Sequence, residues 1–161
     1  MSARQPAGGA ENGDHRMTGS NMTGSVATDS NPADSAATDS VLGVIQAVYD
    51  AWADGDADTF ARLYTDDASV VQPGIYKKNS EVIRSTMAAG FAGPLKGSRV
   101  LDEPQSVRFL GSDAAVVITE GGVLMAGQTE LPAERLVRCT WVLARRDGQW
   151  HVVAYHNSPA N

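Results

Sequence analysis

The sequence lacks the features that would place the chain in a membrane or in an oxidising compartment. Cys139 is the only cysteine among 161 residues, so no intrachain disulfide can form, which is typical of proteins kept in a reducing compartment. The chain has no stretch of about 18 apolar residues that could span a membrane, and its polar N-terminus lacks the apolar segment of a secretory signal. We therefore expect a cytoplasmic protein without a membrane partner.

Basic residues and metal-binding motifs are also scarce. The chain has 13 lysine and arginine residues against 19 aspartate and glutamate residues, which gives a formal net charge of -6. An acidic chain repels phosphate backbones, so nucleic acid is not an expected partner. There is no HxH or HExxH motif, no cysteine pair and no phosphate-binding glycine loop, and we predict neither a metal nor a cofactor.

Residues 1–40 contain almost no large apolar side chains. This segment has no aromatic residue, and Val26 is its only β-branched apolar residue. Such a composition buries too little apolar surface to offset the entropy of an ordered chain. We predict a disordered, low-complexity tail over residues 1–40 and one α+β domain over residues 41–161, which is long enough to bury a core without disulfides.

Apolar spacing and capping residues indicate three helices. Between Val41 and Trp52 the apolar side chains repeat with a period of about 3.6 residues, which predicts a helix capped by Asp39 or Ser40 and ended by Gly55. The two other predicted helices are a short one from Asp56 or Asp58 to Asp66-Asp67, and Ser80–Phe91 with Asn79 or Ser80 as its cap.

The remainder of the chain has the pattern of a sheet. The predicted strands are Ala68–Gln72, Arg99–Leu110, Ala114–Met125, Leu136–Arg145 and Trp150–Ser158. Pro104 favours an edge position or a bulge, Gly121-Gly122 favours a bend or bulge, and Asp147-Gly148 is a strong hairpin signal. Helices first and a strand meander last indicate an α+β fold with helices on one face of a curved sheet.

Two of the predicted strands are apolar on both faces. In Val137–Leu143 and again in Val152–Tyr155, apolar residues occupy both alternating positions, whereas a half-exposed sheet is apolar on one face only. We expect one face to cover the helices and the outer face to form a homodimer, with ordinary surface apolarity as the alternative.

Several separated segments resemble the nuclear transport factor two-like superfamily. Ala51–Ala68 resembles its first two helices, Val71–Gly74 looks like the strand and turn that follow, and Arg145–Trp150 with Tyr155–Pro159 looks like its final hairpin. Within the superfamily the chain is most similar to the SgcJ/EcaC-type branch, in particular to the SgcJ-like proteins of enediyne antibiotic biosynthesis. The resemblance implies a cystatin-like cone, in which a curved antiparallel sheet wraps around three N-terminal helices and encloses a pocket.

Gln72 departs from the pattern of the enzymes that this superfamily includes. In the ketosteroid isomerases the residue directly before the Pro-Gly turn is a carboxylate base, and here that position is Gln72. An amide cannot accept a proton at neutral pH, although it can hydrogen-bond a carbonyl or hydroxyl group of a ligand. Gln72 is therefore a predicted ligand contact, with a polar residue at the sheet rim as the alternative.

The last strand offers one titratable candidate, His156. Strict alternation puts His156 on one face with Val152 and puts Tyr155 and Asn157 on the other face with Val153. By analogy with kinase association domains, the face of Asn157 and Trp141 lines the pocket, so we expect His156 on the outer, dimer-facing side. His156 remains a weak catalytic candidate.

Aromatic side chains are the predicted lining of the pocket. Trp141, Tyr155, Tyr49 and Trp52 suit a flat or conjugated ligand, and plain core packing is the alternative for each. Glu120 is a second weak catalytic candidate, or a solvated strand residue.

Three hypotheses for the function follow. The first is a protein that binds a polyketide, polyene or aromatic intermediate as an accessory in secondary-metabolite biosynthesis, enediyne biosynthesis by resemblance. The second is a cyclase, dehydratase or isomerase using a pocket acid–base residue, and the third is a dimerisation module without a ligand. A titratable side chain inside the pocket would favour the second, and an aromatic cavity would separate the first from the third.

Overall fold

The computed structural model describes residues 32–161, and the rest of the predicted tail lies outside the described residues. The helices are α1 (Pro32–Ala53), α2 (Ala57–Arg62) and α3 (Ser80–Ala92). The strands are β1 (Tyr64–Gln72), β2 (Ile75–Lys77), β3 (Arg99–Phe109), β4 (Ala114–Leu124), β5 (Val137–Arg146) and β6 (Gln149–Pro159). A short 3-10 turn, Ala133–Arg135, precedes β5.

The strands form one curved sheet in the order β2-β1-β6-β5-β4-β3. Neighbouring strands run antiparallel except β1 and β6, which are parallel. The predicted α+β class and the helix-filled curved sheet are confirmed, and the expectation of a purely antiparallel sheet fails at this one pair. A parallel pair requires a long crossover between its strands, and α3 with the β3–β5 meander supplies it.

The core lies between the inner face of the sheet and the helices. Val41, Ile45 and Val48 follow one stripe of α1, and Ile83 and Met87 follow one stripe of α3. The inner face of the sheet contributes Val70, Ala115, Val117, Leu143 and Val152.

Helix α1 begins earlier than the sequence pattern predicts. It starts at Pro32, so residues 32–40 are helical and Asp39 and Ser40 lie inside the helix instead of capping it. Alanine-rich sequence has high helix propensity, a proline is well tolerated at the first helical position, and Asp34 in the first turn complements the helix dipole. These local signals are independent of the apolar spacing, which begins only at Val41.

Helix α2 is shorter than predicted, and the strand after it is longer. Asp56, one of the two predicted starting residues, caps α2, and its carboxylate accepts a hydrogen bond from Thr59 N at 3.0 Å. The helix ends at Arg62, and β1 begins at Tyr64. Asp66-Asp67 therefore does not close the helix but lies in β1, where the pairing with β6 is irregular between Tyr64 and Ser69.

Three signals read from the sequence of the strands agree with the structure. Asp147 and Gly148 both have positive φ angles, 53° and 75°, as the two-residue hairpin between β5 and β6 requires. Strand β3 lies at the sheet edge and shifts register at Pro104, as predicted. Strand β1 ends at Gln72, before the Pro73-Gly74 turn, as predicted, and Ile75–Lys77 then folds back on β1 as the unpredicted strand β2.

Gly121 and Gly122 do not form the bulge that the sequence suggested. Strands β3 and β4 pair without a shift at both residues. Both glycines are needed for close packing instead, since a Cβ atom on Gly121 would lie 2.0 Å from Leu101 O and one on Gly122 would lie 2.9 Å from Arg135 O.

A bulge does occur in β6, at Val153. Leu143 pairs with Val152 and Val142 pairs with Ala154, so Val153 has no partner in β5. The extra residue reverses the alternation, and Val152 lies buried on the inner face. The predicted grouping of Val152 with His156 is therefore wrong, while the opposition of His156 to Asn157 holds.

Candidate functional site

A cavity of about 350 Å³ lies between the helices and the inner face of the sheet. Its volume falls in the range of small-molecule sites, about 300–1,000 Å³. Most of the lining is apolar or aromatic, and every strand and helix contributes to it. The polar lining residues are Gln72, Lys77, Asp102, Arg135 and Asn157, and the aromatic ones are Tyr49, Trp52, Phe60, Tyr64, Trp141 and Tyr155.

All six residues predicted to contact a ligand line this cavity: Gln72, Trp141, Tyr155, Asn157, Tyr49 and Trp52. Trp141 pairs with Tyr155, and Cys139 pairs with Asn157, across the β5–β6 ladder. Directly paired residues share a sheet face, so the hairpin turns these four side chains inward together. Their role in binding stays a prediction.

The two tryptophans present apolar surface because their N–H groups already have partners. Trp141 Nε1 donates a hydrogen bond to Thr119 Oγ1 at 3.1 Å, and Trp52 Nε1 donates one to Ser98 Oγ at 2.9 Å. Tyr155 packs edge-on against Trp141 with 4.5 Å between ring centroids. These contacts hold the aromatic wall in place, which favours recognition of flat apolar groups.

Tyr155 belongs to a small polar cluster on the same wall. Its hydroxyl accepts a hydrogen bond from Asn157 Nδ2 at 2.9 Å and lies 3.2 Å from Cys139 Sγ. Burial raises the pKa of Tyr155 well above its ordinary value, and burial also raises the pKa of the Cys139 thiol. Both groups are therefore neutral at physiological pH, and neither is a base or an activated nucleophile.

Asp102 is the functional candidate that the sequence did not reveal. It is the only carboxylate in the cavity lining among the described residues, and its Oδ2 accepts a hydrogen bond from the hydroxyl of Tyr49. Its Oδ1 is buried, and no described residue makes a hydrogen bond to it in standard geometry, although nearby Thr119 favours the charged carboxylate. The pair joins α1 to β3 across 53 residues of sequence.

Burial sets the protonation behaviour of this pair. It raises the pKa of the Asp102 carboxyl above its ordinary value, in spite of the opposing hydrogen bond from Tyr49. Burial, followed by the charge of Asp102, raises the pKa of Tyr49 strongly. Asp102 is thus a carboxyl group that can exchange a proton closer to neutrality than an exposed aspartate can, with a neutral phenol beside it.

The signal for Asp102 was present in the sequence but weak. Asp102 follows Val100 by two positions on an edge strand, and Glu103 and Pro104 follow directly, so the segment looks solvated. Gly121, which pairs with Asp102, leaves room for the carboxylate: a Cβ atom there would lie 2.7 Å from Asp102 Oδ1.

Neither weak catalytic candidate from the sequence reaches the cavity. His156 is exposed on the outer face of the sheet, where it pairs with Thr140. Glu120 also lies outside the lining, and its Oε2 accepts a hydrogen bond from Arg138 Nη2 at 2.7 Å across the β4–β5 pair. An ion pair of this exposure contributes little to stability.

Lys77 lies at the other polar part of the cavity wall. Its side chain is on the inner face of β2, opposite Val70, and only 8% of the residue is exposed. Lys77 Nζ donates a hydrogen bond to Gln72 Oε1 at 3.3 Å. Burial lowers the pKa of Lys77 below its ordinary value.

Residues 32–161 contain no group of three or more His, Cys, Asp or Glu side chains placed to hold a metal ion. None of the helices in this part of the chain is long and apolar enough to cross a membrane.

A curved mixed sheet that holds three helices around a lined cavity is the cystatin-like fold that the resemblance to the nuclear transport factor two-like superfamily implies. The chain belongs to the SnoaL-like domain family, whose sequence model matches residues 41–161. A comparison with curated protein sequences found no match.

Solved structures agree on the fold. A domain of unknown function with a cystatin-like fold from Nostoc punctiforme has 26% identity and a TM-score of 0.70, over 82% of this chain and 80% of that one. A nuclear transport factor two-like protein from Novosphingobium aromaticivorans has 17% identity and a TM-score of 0.67, over 83% and 93%. A protein from the same organism, provisionally named a scytalone dehydratase, has 13% identity and a TM-score of 0.66, over 80% and 87%.

Proposed function

We propose that this protein binds an apolar small molecule with an aromatic or polyene body in the cavity between helices and sheet. The observation that carries the proposal is the cavity of about 350 Å³, with an aromatic wall whose indole N–H groups are already bonded within the protein. A ligand then gains from apolar contact with the rings, and the few polar groups of the wall orient it.

The resemblance to SgcJ-like proteins extends the proposal to a biological setting. The ligand would be a polyketide-derived intermediate of secondary metabolism, of the enediyne type, and the protein would shield or orient it in the cytoplasm. The protein would act as a homodimer joined through the outer face of the sheet. In support, Val71 and Tyr76 are 40% and 68% exposed and pair with each other on that face.

The proposed binding is tested by substitutions on the two faces of β6, because Tyr155 and Asn157 face the cavity and His156 faces away from it. Binding of a flat aromatic probe such as 2-anthracenecarboxamide is followed by quenching of tryptophan fluorescence. Tyr155→Ala removes one aromatic contact and should weaken binding by about 1–3 kcal/mol, and Asn157→Ala should cost about 0.5–1.5 kcal/mol. His156→Ala, on the outer face, is the matched control and should leave the affinity unchanged. Equal affinities for the wild type and Tyr155→Ala would contradict the proposal.

A second candidate function is acid–base catalysis of the cyclase, dehydratase or isomerase type. Asp102 favours it, because this carboxyl lines the cavity and its pKa is raised by burial. The carboxylate would take a proton from a carbon beside a ligand carbonyl, and Tyr49 would hold the carboxylate in position. Asp102→Asn should then bind the ligand with similar affinity but lose turnover, whereas a pure binding protein would have no turnover to lose.

A further inference from the structure

Lys77 is a buried cation for which the described residues supply no counter-ion. Its exposed fraction is 8%, and none of the ion pairs among the described residues includes it. Gln72 Oε1 is the hydrogen-bond acceptor of Lys77 Nζ, and burial lowers the pKa of Lys77 below its ordinary value. Removing an ammonium group from water without a partner is costly, and an apolar side chain of similar length would avoid that cost.

The cavity wall has more basic than acidic side chains, whereas the whole chain is acidic. The chain has a formal net charge of -6, yet the wall contains two basic residues, Lys77 and Arg135, and one acidic residue, Asp102. Asp102 is already bonded to Tyr49 and makes no ion pair with either basic residue. The wall therefore favours an anionic group on the bound molecule.

We propose that Lys77 and Gln72 form a subsite for a carboxylate, so that the ligand of this cavity is an amphipathic carboxylic acid with an aromatic or polyene body. This inference rests on the proposed binding function. Gln72 and Lys77 share the inner face of the β1–β2 hairpin, where Val70 pairs with Lys77 and Gln72 with Ile75.

The donors of this subsite suit a carboxylate. Gln72 Oε1 faces the ammonium group, which leaves the Gln72 amide N–H groups to donate to one carboxylate oxygen while Lys77 donates to the other. Charge-assisted hydrogen bonds of this kind are among the stronger ones in proteins, particularly away from bulk water. The ligand supplies the missing counter-ion, and the apolar body lies against the aromatic wall.

The test compares two probes that differ only in charge, 2-anthracenecarboxylate and 2-anthracenecarboxamide. Their affinities for the full-length protein are measured at neutral pH by tryptophan quenching and by calorimetry. The wild type should bind the carboxylate about 10- to 100-fold more tightly than the amide. Lys77→Met should lose this preference and keep the wild-type affinity for the amide. Lys78→Met, which changes the exposed lysine next in the chain, is the matched control and should keep the preference.

A second variant tests the subsite without removing the lysine. Gln72→Glu gives Lys77 a counter-ion from the protein and should abolish the preference for the carboxylate, while the amide still binds. Equal affinities of the wild type for the two probes would overturn the subsite, as would a preference that survives in Lys77→Met and Gln72→Glu. Failure of both probes to bind the wild type would instead contradict the proposed binding function.

Discussion

Asp102 shows how one pairing between distant residues changes the chemistry of a cavity. Its carboxyl lies among apolar groups, and its partner Tyr49 reaches it from α1. Gly121 leaves the space that the carboxylate occupies. Without Asp102 the described lining would have no acidic group, and the hypothesis of acid–base catalysis would have no candidate inside the cavity.

The raised pKa of Asp102 predicts how stability depends on pH. The folded protein keeps this proton at pH values where the unfolded chain has released it, so stability falls as the pH rises from the unfolded pKa through the folded pKa. Above the folded pKa of Asp102 this loss of stability is complete. Asp102→Asn cannot ionise and can still accept the Tyr49 hydrogen bond, so it should melt at a higher temperature than the wild type at pH 7.

Melting curves recorded across the acid range check this prediction. The difference between Asp102→Asn and the wild type should shrink towards low pH, where Asp102 is protonated in both the folded and the unfolded state. Glu130→Gln removes an exposed carboxylate that does not affect the pKa of Asp102, and this control should follow the wild type. A constant difference at all pH values would show that burial of the Asp102 charge is not the cause.

We predict that adding even a methyl side chain at Gly121 lowers the stability of the protein. Gly121→Ala forces a Cβ atom to within 2.0 Å of Leu101 O, so β3 and β4 must move apart. We expect a loss of about 1–3 kcal/mol or more in the free energy of unfolding, measured in urea. Gly43→Ala in α1 is the control, because no atom lies within 4 Å of its added Cβ, and it should gain about 0.5–1 kcal/mol. Equal stability of Gly121→Ala and the wild type would contradict the close approach.

At the scale of elements, α1 begins at Pro32, ahead of the predicted domain start at residue 41. Residues 32–40 form more than two turns of helix, and Ala37 and Thr38 are half-buried. The large apolar residues begin only at Val41, which is fully buried. The helical extension therefore adds backbone hydrogen bonds and limited packing, which an analysis of apolar periodicity does not detect.

Two truncations distinguish the contribution of residues 32–40 to stability from that of residues 1–31. Removal of residues 1–31 should leave the melting temperature unchanged, because that segment has no aromatic residue and one β-branched apolar residue, Val26. Removal of residues 1–40 should lower it by a few degrees, the shift that about 1 kcal/mol produces in a domain of this size. A large drop with the first truncation would show that residues 1–31 pack on the domain.

At the scale of the whole molecule, the outer face of the sheet is where we expect the second chain. Val71, Tyr76 and His156 lie side by side on β1, β2 and β6, and we name them the outer patch. A homodimer through this patch would cover Tyr76, which is 68% exposed. It would leave the cavity open on the opposite face of the sheet.

Light scattering at micromolar concentration checks the dimer. Two chains of 16.9 kDa should give a mass of about 34 kDa. Tyr76→Lys should shift the protein towards the monomer, because two like charges would meet in the interface, and His156→Ala should loosen the dimer to a smaller extent. Leu110→Lys changes another exposed apolar residue, outside the outer patch, and should leave the mass unchanged. A monomer mass for the wild type would refute the dimer.

Local sequence signals alone predict the helix caps and hairpin turns that depend on neighbouring residues. Asn79 caps α3 within three residues of the N–H group it binds, and Asp147-Gly148 determines the β5–β6 hairpin through its own φ angles. Such features depend on neighbouring residues, so the sequence alone predicts them.

The tertiary structure decided what depends on distant residues. Strand β2 is too short to show a period, and only its pairing with β1 turns Lys77 inward beside Gln72. Asp102 became part of the cavity because α1 brings Tyr49 to it from 53 residues away. The solvation of a charged side chain, and hence its pKa, depends on everything that packs around it, which no local pattern in the sequence records.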